Sequence, residues 1–116
     1  MSEPAVGVAA RAAVPANFEI VVTSPGRFAA RGALVFANAK RARSEGLHAL
    51  RTSSARNLEV DCAGIAHSDS AGLAVLLDWM AVMKKEGRPL RFVNLPPGLL
   101  ALASISGVDG MLQKGV

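Results

Sequence analysis

The chain has no tyrosine, one tryptophan and four phenylalanines among its 116 residues. That leaves few flat side chains on which bases could stack, and the 13 Lys+Arg are scattered among 9 Asp+Glu without a basic block. Nucleic acid is therefore not an expected partner. The single cysteine, Cys62, excludes an internal disulfide and agrees with a reducing compartment. Set in an apolar run, it reads as a small core residue and not as a nucleophile or ligand. No stretch of about 18 apolar residues is free of charge, proline and glycine, so no membrane-spanning helix is expected. Residues 1–16 are rich in Ala and Pro, but Glu3 sits near the start and Pro4, Gly7, Arg11 and Pro15 interrupt them. A signal peptide has a basic start and an unbroken apolar centre. This stretch reads instead as a flexible tail on a cytoplasmic protein, followed by one domain over residues 17–116.

Recognisable chemistry is also missing. The segment from Gly26 to Gly32 is followed by Ala33 where a phosphate-binding loop needs lysine, and no GxGxxG is present. His67, Asp69 and the neighbouring serines are the residue types of a nucleophilic triad, yet sequence neighbours rarely face one another and His48 falls on a different element. Asp61, His67 and Asp69 match no familiar ligand spacing. No catalytic residue, metal or cofactor is expected.

Charge is the other scarcity. Only 19% of residues are charged, and the mean hydropathy is +0.32. A small domain this apolar is expected to leave some of that surface outside, and an exposed apolar patch marks a partner surface.

What is present is a clear alternation of strands and helices. Phe18–Val22 is β-branched and reads as a first strand, Ser24-Pro25-Gly26 as a turn, and Arg27–Val35 as the returning strand with Gly32 as a bulge. From Phe36 to Thr52, Ala39, Ala42, Leu47 and Leu50 recur at helical spacing, although Gly46 interrupts the helix. Leu58–Ile65 is an almost wholly apolar strand, and Leu90–Leu95 is another. A last helix is expected over Gly98–Ile105, after Pro96-Pro97, with Met111-Leu112 docking back on the core. The order β-β-α-β-α-β-α predicts an α/β fold with a mixed, mostly parallel sheet of about four strands covered by about three helices.

The organising stretch is Leu58 to Met83. Its strand turns through a polar knuckle, His67-Ser68-Asp69-Ser70, into a helix from Ser70 to Lys85. Ser68, Asp69 and Ser70 can all accept the free N–H groups of a first turn, and Gly87 supplies the left-handed stop. Stepping about 100° per residue puts Leu73, Leu76, Leu77, Met80 and Met83 on one face. Val75, Trp79 and Val82 widen the apolar arc beyond what a helix lying on a sheet needs. Two readings follow: Trp79 packs under a neighbouring loop, or Ala71, Val75, Trp79 and Val82 form a contact strip with Trp79 as anchor. Asp78 marks the wet side. A phosphate on Ser70 would sit where the helix dipole favours an anion, whereas the simpler role of Ser70 and Asp69 is capping.

At these residues the chain resembles the STAS domain family, of the anti-sigma-factor-antagonist type. Val60-Asp61-Cys62-Ala63-Gly64-Ile65 followed by Asp69-Ser70-Ala71-Gly72-Leu73 carries the likeness. With Gly87-Arg88-Pro89-Leu90 and Val93-Asn94-Leu95-Pro96, it looks most like the small STAS subunit of Mla-type phospholipid-transport ABC systems of Gram-negative bacteria. The resemblance implies a mixed sheet with helices on one side and no catalytic activity. It further implies a cytoplasmic protein, peripheral to the inner membrane, that binds the transporter ATPase through the knuckle and central helix. Asp69, Ser70, Ala71, Val75, Asp78, Trp79 and Val82 are the expected partner-binding residues. Partner-switching antagonists carry their phospho-acceptor at the second hydroxyl of Asp-Ser-Ser-Gly, and that position here is Ala71. Ser70 instead matches the hydroxyl residue that transporter-type members keep for contacting the ATPase, so this departure favours the transporter role over an anti-sigma-factor antagonist. Ser70 is a phosphorylation candidate on the helix-start argument alone.

Overall fold

Alternation of buried and exposed side chains along the strands shows why the sheet has one covered face. In β1 (Phe18–Ser24), β2 (Arg27–Leu34), β3 (Leu58–Ser68) and β4 (Leu90–Val93), Phe18, Phe28, Ala30, Val60, Cys62, Leu90 and Phe92 are buried. The residues between them carry Glu19, Arg27, Arg31, Glu59 and Arg91 on the open face. The structure is a computed structural model that describes residues 17–115; the expected tail lies outside them.

The four strands are ordered β1-β2-β3-β4. A hairpin pairs β1 and β2 antiparallel, and β2–β3 and β3–β4 are parallel. The predicted α/β architecture is therefore present. α1 (Ala39–Thr52), α2 (Ser70–Lys85) and α3 (Pro97–Ile105) close the buried face, and a short α4 (Asp109–Lys114) packs against β4. α4 adds a fourth helix where only a docking of Met111-Leu112 was expected; Leu112 is fully buried and Met111 is exposed.

Local boundaries differ from expectation for identifiable reasons. β3 continues past Ile65 to Ser68, because β2 runs alongside it and pairs Ala33 with His67 and Leu34 with Ser68. β4 stops at Val93 because Asn94 takes φ 55, which no strand continues through. Phe36–Asn38 forms a 3-10 turn before α1 in place of a continuous helix. Asn38 holds that turn: its amide donates to the Ala33 carbonyl at 2.8 Å, and its Oδ1 accepts from the Val35 N–H at 3.0 Å. The ladder irregularity expected at Gly32 is there, with a register shift between Gly32 and Ala33.

Candidate functional site

The knuckle is built by Asp69. With extended φ −140 it is the N-cap of α2, and its Oδ1 accepts from the Gly72 N–H at 3.0 Å. Its Oδ2 accepts from the Phe36 N–H at 3.1 Å. One carboxylate thus ties the start of α2 to the 3-10 turn that follows β2. Gly72 allows the two segments to meet: a Cβ there would lie 2.1 Å from the Leu34 carbonyl oxygen. Ser70, the first residue of α2, is left exposed. Asp69 therefore does the capping, and the Ser70 hydroxyl faces solvent.

Beside the knuckle, α2 and the start of α1 leave an open, mainly apolar groove of about 750 Å³. Ala71, Ala74, Leu77 and Ala81 from α2 face Phe36 and Ala39 across it, with Val75 buried in its floor. Phe36 is 82% exposed, an aromatic ring at the mouth of the groove with solvent around it. Arg43 and Asp78 form an ion pair from α1 to α2 at one edge, and Lys40 adds a cation. The groove has an apolar floor and a charged rim.

Of the expected contact residues, Ala71, Val75 and Asp78 line this groove, and Asp69 and Ser70 lie at the knuckle beside it. Trp79 does not, and the contact-strip reading of it is corrected. It is fully buried, packed between Phe18 (ring centroids 5.9 Å) and Phe92 (6.5 Å), with its Nε1–H donating to the Arg43 carbonyl at 3.0 Å. Val82 is half-buried against the core and lines no part of the groove. The wide apolar arc of α2 has an internal cause: the helix contacts α1 on one flank and α3 on the other as well as the sheet. Phe36, Ala74 and Ala81 were not singled out from the sequence, and Leu77, expected on the core face, is half-buried and lines the groove. Phe36 looked like an ordinary first-turn residue, and only the 3-10 turn swings its ring outward.

The chemistry at the knuckle is sparse. His67 is exposed and makes no side-chain hydrogen bond or ion pair among the described residues. No group of three His, Cys, Asp or Glu among the described residues could hold a metal. Burial, reinforced by the Asp61 charge, pushes the Cys62 thiol up to about 12, so it is protonated at neutral pH. No helix among the described residues is long and apolar enough to cross a membrane.

Residues 22–113 match the family model described as "Mlab, STAS domain". No curated protein sequence matches the chain. Among solved structures, the unphosphorylated form of the anti-sigma factor antagonist SpoIIAA is similar, with a TM-score of 0.64 at 16% identity. That alignment covers 81% of this chain and 84% of that chain. The phosphorylated form of SpoIIAA, the Bacillus cell fate determinant, aligns with a TM-score of 0.62 at 16% identity, over 84% of this chain and 88% of that one. At this identity the likeness is one of fold.

Proposed function

The chain belongs to the STAS domain family, and from that premise we propose that it is a non-catalytic subunit binding the cytoplasmic ATPase of an ABC phospholipid transporter. In this role it supports assembly and activity of the complex, and so the maintenance of outer-membrane lipid asymmetry. It reaches the inner membrane only through its partner. The observation that carries the reading is the open apolar groove beside the knuckle, with Phe36 82% exposed at its mouth and Ser70 free on its shoulder. Burying an exposed aromatic in a partner's pocket is a common source of interface energy. The family description, which names Mlab, supports the transporter assignment. Ala71 in place of a second hydroxyl supports it too.

A second reading is an anti-sigma-factor antagonist under kinase control. The exposed Ser70 hydroxyl at the start of α2 favours it, because a phosphate placed there would meet the free N–H groups of the first turn. One experiment separates the two. The tagged full chain is compared with Ser70→Asp and Phe36→Ala in a pull-down from its own organism. An ABC ATPase held by the wild type and lost by both variants supports the transporter role. An anti-sigma kinase in its place, together with phosphate transfer to Ser70, establishes the second reading. Retention of an ATPase by both variants would remove the groove from the contact.

A further inference from the structure

We infer that the cleft at the amino ends of β2, β3 and β4 is a binding site for a phosphate-bearing anion. It lies at the far end of the sheet from the knuckle, because the parallel strands start here and end there. The length of β3 places the two ends roughly 30 Å apart. The site is therefore independent of the proposed partner surface.

The cleft holds about 400 Å³ and is lined by Gly26, Arg27, Asn57, Glu59, Arg91 and Lys114, among others. Among the described residues, three cationic side chains face one carboxylate, a surplus of two positive charges. Strand register sets this arrangement, with Arg27 paired to Glu59 and Glu59 to Arg91 across three adjacent strands. Glu59, only 19% exposed, meets the Arg27 Nε at 3.4 Å and a terminal nitrogen of Arg91 at 2.9 Å. Each guanidinium carries five N–H donors in a fixed fork, so most of them remain available. The Lys114 ammonium and the Asn57 carboxamide make no hydrogen bond or ion pair among the described residues. The wall is tightly built: a Cβ on Gly26 would lie 2.8 Å from both Ala55 Cβ and the Asn57 carbonyl.

An ion-pair row that served only to fix strand register would need one cation per carboxylate, and such exposed pairs contribute little to stability. The arginine held on each side by a shared glutamate, with an unpartnered lysine opposite, instead resembles a preorganised oxyanion clamp. The surplus of two charges matches a phosphate monoester or diphosphate better than a single carboxylate. That chemistry has two sources, a soluble phosphate compound and the headgroup of an anionic lipid.

The test is a titration of the ¹⁵N-labelled full chain with inorganic pyrophosphate at low salt. Saturable shifts are expected at the amides of Gly26, Asn57, Arg91 and Gly115. Lys114→Gln and Arg91→Gln should each weaken binding by about tenfold, as expected for a charge-assisted contact. Arg31→Gln, on the same sheet face but roughly 13 Å along β2 from Arg27, should leave the affinity unaltered. Flotation with phosphatidic acid and phosphatidylcholine vesicles then assigns the source. Capture by the acidic vesicles alone, lost in Lys114→Gln, identifies a lipid headgroup; pyrophosphate saturation without vesicle capture identifies a soluble ligand. Either result sustains the site. Absence of saturable shifts, or equal weakening by Arg31→Gln, would overturn it.

Discussion

Gly46 on α1 is the seat of the Trp79 indole. A Cβ on Gly46 would stand 2.1 Å from Trp79 Cζ2 and 2.2 Å from Cε2, so the ring lies directly against the backbone of α1. The indole N–H then reaches the Arg43 carbonyl one turn earlier. A helix-interior glycine normally costs about 1 kcal/mol relative to alanine. Here it makes room for the largest side chain in the core.

The sign of one substitution follows. Gly46→Ala should lower the thermal midpoint, because the added methyl overlaps the ring and overpacking costs about 1–3 kcal/mol. Trp79→Ala should cost about 3–5 kcal/mol by leaving a cavity. In the Trp79→Ala background, Gly46→Ala should turn neutral or stabilising, and the double-mutant cycle should show the coupling. A higher midpoint for Gly46→Ala alone would contradict the close packing.

A second prediction separates cap from contact at the knuckle. Asp69→Ala removes both hydrogen bonds of its carboxylate, to Gly72 and to Phe36. It should cost about 1–2 kcal/mol in urea unfolding, in the range of a lost N-cap. It should also weaken partner capture by loosening the turn that presents Phe36. Ser70→Asp and Phe36→Ala alter exposed groups and should leave the unfolding midpoint nearly unmoved while abolishing capture. A stability loss in Phe36→Ala as large as that of Asp69→Ala would mean that the ring packs on its own chain.

Arg88 supports a third. Its guanidinium closes the end of α1 by donating to the Leu50 carbonyl at 3.4 Å, to the Ser53 carbonyl, and through two nitrogens to the Ala55 carbonyl at 2.6 and 3.2 Å. Lysine keeps the charge but cannot address three carbonyls in a fixed fork. Arg88→Lys should cost about 1–2 kcal/mol, with faster hydrogen exchange concentrated in residues 50–57. Exchange that rises uniformly across the chain would show a global effect with no local origin.

These residues also show where sequence reasoning reaches its limit. Periodicity, turn residues and caps are local, so the strand–helix order, the Gly87 stop and the polar corner were readable, and the Asp-Ser-Ala-Gly element marked the corner beside which the groove opens. Trp79 was ambiguous because its burial depends on α1 crossing at Gly46, a contact between positions far apart in sequence. From the sequence alone, Gly46 looked like a helix interruption; its purpose appears only once the indole is against it. Phe36 was missed because a single 3-10 turn, held by Asn38 and Asp69, turns a core-like phenylalanine outward. The basic cleft was hidden for a similar reason: Arg27, Glu59 and Arg91 come from three strands and meet only through their register.

The Cys62 thiol gives the chain a predictable alkaline limit. Burial pushes it from its ordinary pKa of 9.0 up to about 12 in the folded protein. An unfolded chain releases that proton from about pH 9 upward while the folded one retains it, so unfolding is favoured as pH rises through that window. Stability contributed by this group is therefore complete below pH 9 and declines towards pH 12, by a few kcal/mol at most. Urea midpoints measured between pH 8 and 11 should fall with pH, and Cys62→Ala should flatten that fall, since alanine fills the site without a titrating group. The native thiol should also resist alkylation at pH 8 and react fully in denaturant. Rapid labelling of the native chain, with no difference in pH slope between wild type and Cys62→Ala, would place Cys62 outside the core.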